Sequence, residues 1–207
     1  MASIIRQADL AVLVIDVQPY FMHGWAAAEA EPILARLEFL FGIATVYDLP
    51  TICTFEQPVE RKGWLPERLE PFVPARAPRL TKRTFDCCAE PEVMDAIRSL
   101  GRRQFAVAGA ETDVCVLQSV LGLLNAGLEV FVLEDAIFSS EPNTGPAVRR
   151  MERAGAVPST VKTLNYELRR SVDAMTTERL FAARRPGLKL PEPEALPAFR
   201  PPRLGPA

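Results

Sequence analysis

The chain has 207 residues, 48% hydrophobic and 24% charged, with a formal net charge of −2 at pH 7. This length supports one well-cored domain, the composition excludes a disordered chain, and the near-neutral balance gives no electrostatic reason for a nucleic-acid or membrane partner. Arg6, Gln7 and Asp9 interrupt the N-terminus too early for a signal peptide, and no apolar run approaches membrane-spanning length, so a cytoplasmic protein is expected.

The cysteines are Cys53, Cys87, Cys88 and Cys115. Adjacent Cys87 and Cys88 do not suit a disulfide framework, and no Cys-x-x-Cys zinc pair exists. With His23 as the single histidine, no metal site of imidazoles or thiolates is expected. Chemistry falls to thiol, carboxylate and amine groups.

In chain order, Leu10 to Ile15 is a continuous apolar run and reads as a central parallel strand buried on both faces. Asp16 closes it. A carboxylate there is either a turn residue or a ligand group, because open α/β sheets bind at the carboxyl ends of their strands. His23 to Ala28 reads as a loop, with His23 a plain loop histidine or a substrate contact. Pro32 opens a helix to Val46, with Ile33, Leu34, Leu37, Leu40 and Phe41 on one side. Thr51 to Phe55 is the second strand. Residues 56–80 contain Pro58, Pro66, Pro71, Pro74 and Pro78. Such a long irregular segment is often functional; one short helix is expected in it, near Pro66 to Leu69. Trp64 either pins this loop to the body or serves as a lid aromatic.

Leu80 to Asp86 is a short third strand, in which Lys82 by itself reads as a surface lysine. Pro91 to Leu100 is a helix capped by Gly101. Gln104 to Ala108 is the fourth strand, ended by Gly109 and Ala110. Thr112 or Asp113 caps a helix over Val114 to Leu124. Cys115 thus falls in a first helical turn, where free N–H groups and the helix dipole favour a thiolate. The alternative is a small buried cysteine that fills space. Leu128 to Leu133 is strand five, Pro146 to Ala154 a helix, and Val157 to Val161 strand six.

This alternation predicts the α/β class: a doubly wound, Rossmann-like parallel sheet of about six strands with helices on both faces. No Gly-x-Gly-x-x-Gly follows the first strand and no phosphate-binding Gly-x-x-x-x-Gly-Lys motif occurs. The domain is expected over residues 1–185. A Pro-rich tail follows over 186–207, with prolines at 186, 191, 193, 197, 201, 202 and 206. It is expected to be extended, either loose or wrapped on a neighbouring subunit. In a doubly wound sheet, strands one and four are neighbours, and their carboxyl ends mark the topological switch point. Asp16, Lys82 and Cys115 each end or follow a strand, and that topology gathers them into one pocket.

Three segments carry a resemblance: Leu13-Val14-Ile15-Asp16-Val17-Gln18-Pro19-Tyr20-Phe21, Lys82-Arg83-Thr84-Phe85-Asp86 and Ala108-Gly109-Ala110-Glu111-Thr112-Asp113-Val114-Cys115-Val116. With the strand rhythm over residues 8–165, they resemble the isochorismatase-like cysteine hydrolase family. The resemblance implies a catalytic triad of Asp16, Lys82 and Cys115 and a cis Ala110–Glu111 peptide. It also implies an oxyanion hole made by the backbone N–H groups of Glu111 and Cys115. In that scheme Asp16 takes the thiol proton and later gives it to the departing amine. Lys82 holds both groups and favours the thiolate. The sulfur attacks an amide or ureide carbonyl, and water hydrolyses the thioester. No metal or organic cofactor enters, the partner is a small-molecule substrate, and a homo-oligomer is expected. Phe21, Trp64 and Phe85 either line the pocket or simply pack.

Members named for isochorismate cleave a vinyl ether without the cysteine, so Cys115 points to the amidase side. Nicotinamidase-like members carry an Asp-x-His…His metal site after the second strand; Thr54-Phe55-Glu56-Gln57-Pro58-Val59-Glu60-Arg61 has no histidine there. Asp86-Cys87-Cys88 also departs from the commoner Ser-Ala-Phe ending of the middle motif. Three readings stand: a cysteine amidohydrolase, an isochorismatase-type hydrolase of another bond, or a non-catalytic binding or assembly member of the fold.

Overall fold

Leu10–Ile15 forms β1, and all its side chains are buried. In the computed structural model, described for residues 4–197, β1 shares one sheet with β2 (Thr51–Glu56), β3 (Arg79–Lys82), β4 (Gln104–Ala110), β5 (Glu129–Phe138) and β6 (Val157–Ser159). The order is β3-β2-β1-β4-β5-β6, and every pairing is parallel. The chain winds outward from β1 to β3, then returns to β4 on the other edge of β1. That reversal makes the carboxyl ends of β1 and β4 the topological switch point, where open α/β sheets place their ligands.

The helices are α1 (Ala27–Val46), α2 (Val59–Lys62), α3 (Pro91–Ser99), α4 (Leu117–Asn125), α5 (Gly145–Arg153), α6 (Val161–Arg169) and α7 (Thr177–Arg184). Alternation along the strands sends side chains to two faces. Leu10, Val12 and Val14 join Phe131 and Leu133 against Ile33, Leu37 and Phe41 of α1, with Leu164 of α6 and Phe181 of α7. Ala11, Leu13 and Ile15 join Phe105 and Val107 against Ile97 of α3, Val120 of α4 and Met151 of α5. Each fully buried Leu, Val or Phe contributes about 1.5–3 kcal/mol, so the two layers hold the sheet edge rigidly.

Several boundaries move from the sequence reading. α1 begins at Ala27, ahead of Pro32. The Glu29 carboxylate accepts the Ala26 N–H at 2.7 Å, and the alanines favour helix enough to carry Pro32 inside it. β5 runs on to Phe138, because only Glu134 turns to solvent and Ala136 to Phe138 return to the core. Val161 opens α6 instead of closing β6, with Thr160 Oγ1 accepting the Thr163 N–H at 3.0 Å. The irregular segment holds α2 and a 3-10 turn over Glu70–Phe72.

Part of the expected tail is ordered against its own chain. Leu190 and Leu196 are buried, and a Cβ on Gly42 of α1 would overlap Leu190. Arg36 Nη2 donates to the Pro197 carbonyl at 2.9 Å. Residues 198–207 of that tail lie outside the described residues. Among the described residues, no helix is long and apolar enough to cross a membrane.

Candidate active site

Asp16 leaves β1 with φ +48°, a left-handed turn that Asp adopts more readily than most residues. Its N–H donates to the Thr54 carbonyl at 3.0 Å, and Thr54 Oγ1 donates to Asp16 Oδ1 at 2.9 Å. The neighbouring strand thus fixes both the backbone and the carboxylate. Lys82 ends β3. Its Nζ lies 2.6 Å from Asp16 Oδ2, with both side chains fully buried. The same ammonium donates to the Thr84 carbonyl at 3.0 Å and to Cys115 Sγ at 3.4 Å. Lys82 is therefore not a surface lysine but the centre of the cluster.

Cys115 is 1% exposed. It lies in a π-helical turn, Thr112–Val116, that feeds α4; the sequence reading places it in an α-helical first turn. The turn widens because the Glu111 carbonyl accepts the N–H groups of both Val114 and Val116, at 3.1 and 3.0 Å. The Ala110–Glu111 peptide is cis. Gly109 and Ala110 belong to β4 rather than ending it. Gly109 has φ +120°, and a Cβ there would overlap the Ile15 carbonyl. Only glycine allows β4 to approach β1 this closely at the switch point.

The surrounding loops hold this turn. Glu111 accepts the Ser140 N–H at 3.0 Å, and Asp113 accepts Ser139 Oγ at 2.6 Å. Ser119 Oγ of α4 accepts the Cys87 N–H at 3.0 Å and donates to the Phe85 carbonyl at 3.3 Å. The Asp86-Cys87-Cys88 departure is thereby explained: Asp86 accepts the Cys88 N–H at 2.8 Å, beside a bare Gly122 where any Cβ would overlap it.

Glu56 joins the cluster beyond the expected triad. Cys115 Sγ donates to Glu56 Oε2 at 3.2 Å, and Glu56 Oε1 forms an ion pair with Lys62. Glu56 ends β2, next to β1, on the same sheet edge as Asp16. Its position at a strand terminus was the available signal. Of the candidate pocket aromatics, Phe21 is buried and has Lys62 Nζ 5.6 Å above its ring. Trp64 packs edge-on to Phe55 at 4.9 Å while 44% exposed, and Phe85 is 49% exposed.

Burial is the main force on the titrations. It pushes the Asp16 carboxyl up, against the opposing pull of Lys82 and the hydrogen bonds from Cys115 and Thr54. It also pushes the Cys115 thiol up, and the Asp16 charge adds to it; Lys82 opposes both and does not prevail. The sequence reading expects the thiolate to be favoured; in the folded cluster burial, and after it the Asp16 charge, pushes the other way. For Lys82, burial pulls down, but Asp16 and Cys115 together pull up, and the net direction is up. Asp16, Lys82 and Cys115 therefore titrate as one coupled cluster, with the ammonium opposing the effect of burial on both acids.

The donor set Asp16, Glu56 and Cys115 offers ligand atoms within 4.8 Å of one another, but Lys82 already occupies the cation's place between Asp16 and the sulfur. A cavity of about 730 Å³ lies beside β5, lined by residues including Trp25, Arg36, Thr112, Asp135 and Phe138. The chemistry-bearing groups are not among its walls, and the cluster of thiol, ammonium and carboxylates, not the void, marks the candidate site.

A doubly wound sheet with an acid, an amine and a thiol gathered at its switch point places the chain among open α/β proteins that carry their chemistry at the strand ends. A family model described as Isochorismatase domain matches residues 10–163, and the chain belongs to this family of hydrolases. Isochorismatase family protein 2A of Dictyostelium discoideum is 33% identical over 205 residues, covering 87% of this chain and 96% of that one. YcaC of Escherichia coli, described as an octameric hydrolase of unknown specificity, is 27% identical, with a TM-score of 0.76 over 83% of this chain and 84% of its own. YcaC of Pseudomonas aeruginosa, solved with hexane-2,5-diol and covalent acrylamide, is 27% identical, with a TM-score of 0.75 over 83% and 85%. The MAR1 ribonuclease of Caenorhabditis elegans is 25% identical, with a TM-score of 0.75 over 96% and 100%.

Proposed function

We propose that the protein is a cysteine hydrolase that cleaves the C–N bond of a small carboxamide or ureide through a thioester on Cys115. The observation that carries this reading is the shared ammonium: Lys82 Nζ contacts Asp16 and Cys115 Sγ at once, at 2.6 and 3.4 Å. As the substrate carbonyl binds, Asp16 takes the thiol proton and the sulfur adds to the carbonyl carbon. The backbone N–H groups of Glu111 and Cys115 receive the oxyanion; one such donor is worth about 3–4 kcal/mol. Asp16 returns the proton to nitrogen as the C–N bond breaks and ammonia or an amine leaves. Water then cleaves the thioester, with Asp16 again as base. The upward push of burial on the thiol fits this order, because the charge then forms when the oxyanion donors can share it.

The covalent acrylamide in the Pseudomonas YcaC structure supports an amide-bearing ligand, and the octamer of its Escherichia counterpart supports a homo-oligomer here, read by light scattering. The MAR1 likeness raises RNA as an alternative substrate; a thiol only 1% exposed on a chain of net charge −2 favours a small molecule. The test is ammonia release across a panel of carboxamides and ureides. Cys115→Ala is expected to lower kcat/KM by about 10⁴-fold or more. An active Cys115→Ala variant overturns the nucleophile. Cleavage of single-stranded RNA that depends on Cys115 overturns the substrate class.

A further inference from the structure

Glu56 is a second carboxylate on the nucleophile, and it is held there from three sides. Its Oε2 accepts the Cys115 thiol at 3.2 Å, and its Oε1 is paired with Lys62. Its backbone N–H donates to Gln18 Oε1 at 2.8 Å, while Gln18 Nε2 donates to the Glu56 carbonyl at 3.1 Å and the Gly63 carbonyl at 2.7 Å. Gln18 itself is fully buried. A side chain clamped this way is preorganised rather than incidental.

In the resting site this carboxylate works against the nucleophile, since its hydrogen bond and charge both push the thiol up. Its value must lie in a later state. Once the sulfur has given up its proton and bonded to carbon, Oε2 loses its donor. A half-buried carboxylate left without one costs free energy. The substrate nitrogen, attached to the same carbon as the sulfur, then stands beside it. Asp16, Glu56 and the sulfur lie within 4.8 Å of one another, so two carboxylates flank the place where that nitrogen must sit. An unsubstituted –NH₂ has two donors for two acceptors. A dialkylated nitrogen or an ester oxygen has none.

We infer that Glu56 is a catalytic residue that accepts an N–H of the scissile nitrogen and selects substrates ending in a primary –CO–NH₂. The inference rests on the reading of Cys115 as nucleophile, and it names the substrate end that reading leaves open.

Alkylation tests it without needing the natural substrate. The intact protein is treated with 2-chloroacetamide and with N,N-dimethyl-2-chloroacetamide, and modification of Cys115 is followed by peptide mass spectrometry. In each reaction the S–C bond forms, the C–Cl bond breaks, chloride leaves and the thiol proton passes to a carboxylate. The ratio of the two rate constants is divided by the ratio for glutathione. Wild type is expected to prefer the primary amide by about tenfold or more, the size of one charge-assisted hydrogen bond. Glu56→Gln is expected to bring the ratio back to that of glutathione. A wild-type ratio equal to that of glutathione overturns the inference whether or not the variant folds. An equal change of both rates in Glu56→Gln also overturns it, because Glu56 then acts only on the thiol. Because alkylation requires no turnover, a primary-amide preference without ammonia release counts against the hydrolase reading alone. Amide hydrolysis without that preference counts against Glu56 alone.

Discussion

Two buried ion pairs lie near the carboxyl edge of the sheet, and they do different things. Lys82 and Asp16 meet at 2.6 Å with no exposed side-chain surface. Arg36 and Asp135 meet at 3.1 Å, about a tenth exposed. Burial pushes both aspartates up. The cations diverge: Lys82 is held up by Asp16 and Cys115, whereas burial lowers Arg36 despite Asp135. The remaining contacts explain why. Asp135 also accepts the Val161 N–H at 2.8 Å, and Arg36 also holds the Pro197 carbonyl. That pair fastens α1, β5, α6 and the end of the described chain. Lys82 instead gives its remaining donors to Thr84 and to a thiol. A buried ion pair is thus a clamp or a site according to whether a reactive group shares its cation.

The largest test removes each cation. Lys82→Met and Arg36→Met each leave a buried carboxylate unpaired, and each is expected to lose about 3–5 kcal/mol by urea unfolding. Only Lys82→Met is expected to lower kcat/KM for amide hydrolysis, by about 10²–10³-fold. A folded Arg36→Met protein that loses activity to the same degree would erase the distinction.

A titration sharpens it at smaller amplitude. The folded pKa of Lys82 is raised above its unfolded value of about 10.4. The stabilisation it brings is therefore fully present below that pH and is lost as pH rises through the higher folded value. The stability gap between wild type and Lys82→Met should stay level from pH 7 to about 10 and narrow above it, by at most about 1.4 kcal/mol per pH unit. Arg36 has the opposite sign, but its guanidinium stays charged throughout this range. A gap between wild type and Lys82→Met that narrows already below pH 10 would contradict the direction assigned to Lys82.

The same contrast explains what was legible in the sequence. The bounds of β1 are legible to the residue, because six apolar positions in a row leave a buried strand as the simplest reading. The predicted topology draws Asp16, Lys82 and Cys115 to one sheet edge, and the family resemblance singles them out as a triad. Glu56 and Lys62 escaped because an acid after a strand and a lysine in a Pro-rich loop look like ordinary surface residues until the sheet sets them beside the sulfur. Arg36 and Asp135 escaped for a similar reason: a charge inside α1 carries no local sign of burial. α6 and α7 are not legible in the sequence because their apolar stripes are short and interrupted by charges such as Glu167 and Arg179. A helix start and a lysine suggest a thiolate, whereas burial, and after it the Asp16 charge, pushes the thiol up; the extent of that burial is not visible before the chain folds.

The smallest effect is expected where the loop carrying Lys82 meets α4. Asp86→Ala removes the acceptor of the Cys88 N–H and should cost about 1 kcal/mol of stability, as for other caps. The rate should change by only a few fold, because Lys82 is held independently by the Thr84 carbonyl and by Asp16. Thr84 is in turn fixed through Glu90 Oε2, which accepts its N–H at 3.3 Å and its Oγ1 at 3.2 Å. A rate loss approaching that of Lys82→Met, at this modest stability cost, would mean that the Asp86 turn itself aims the ammonium. Lys82 would then be placed by its loop more than by its ion pair, and the line between clamp and site would have to be drawn through the loop as well.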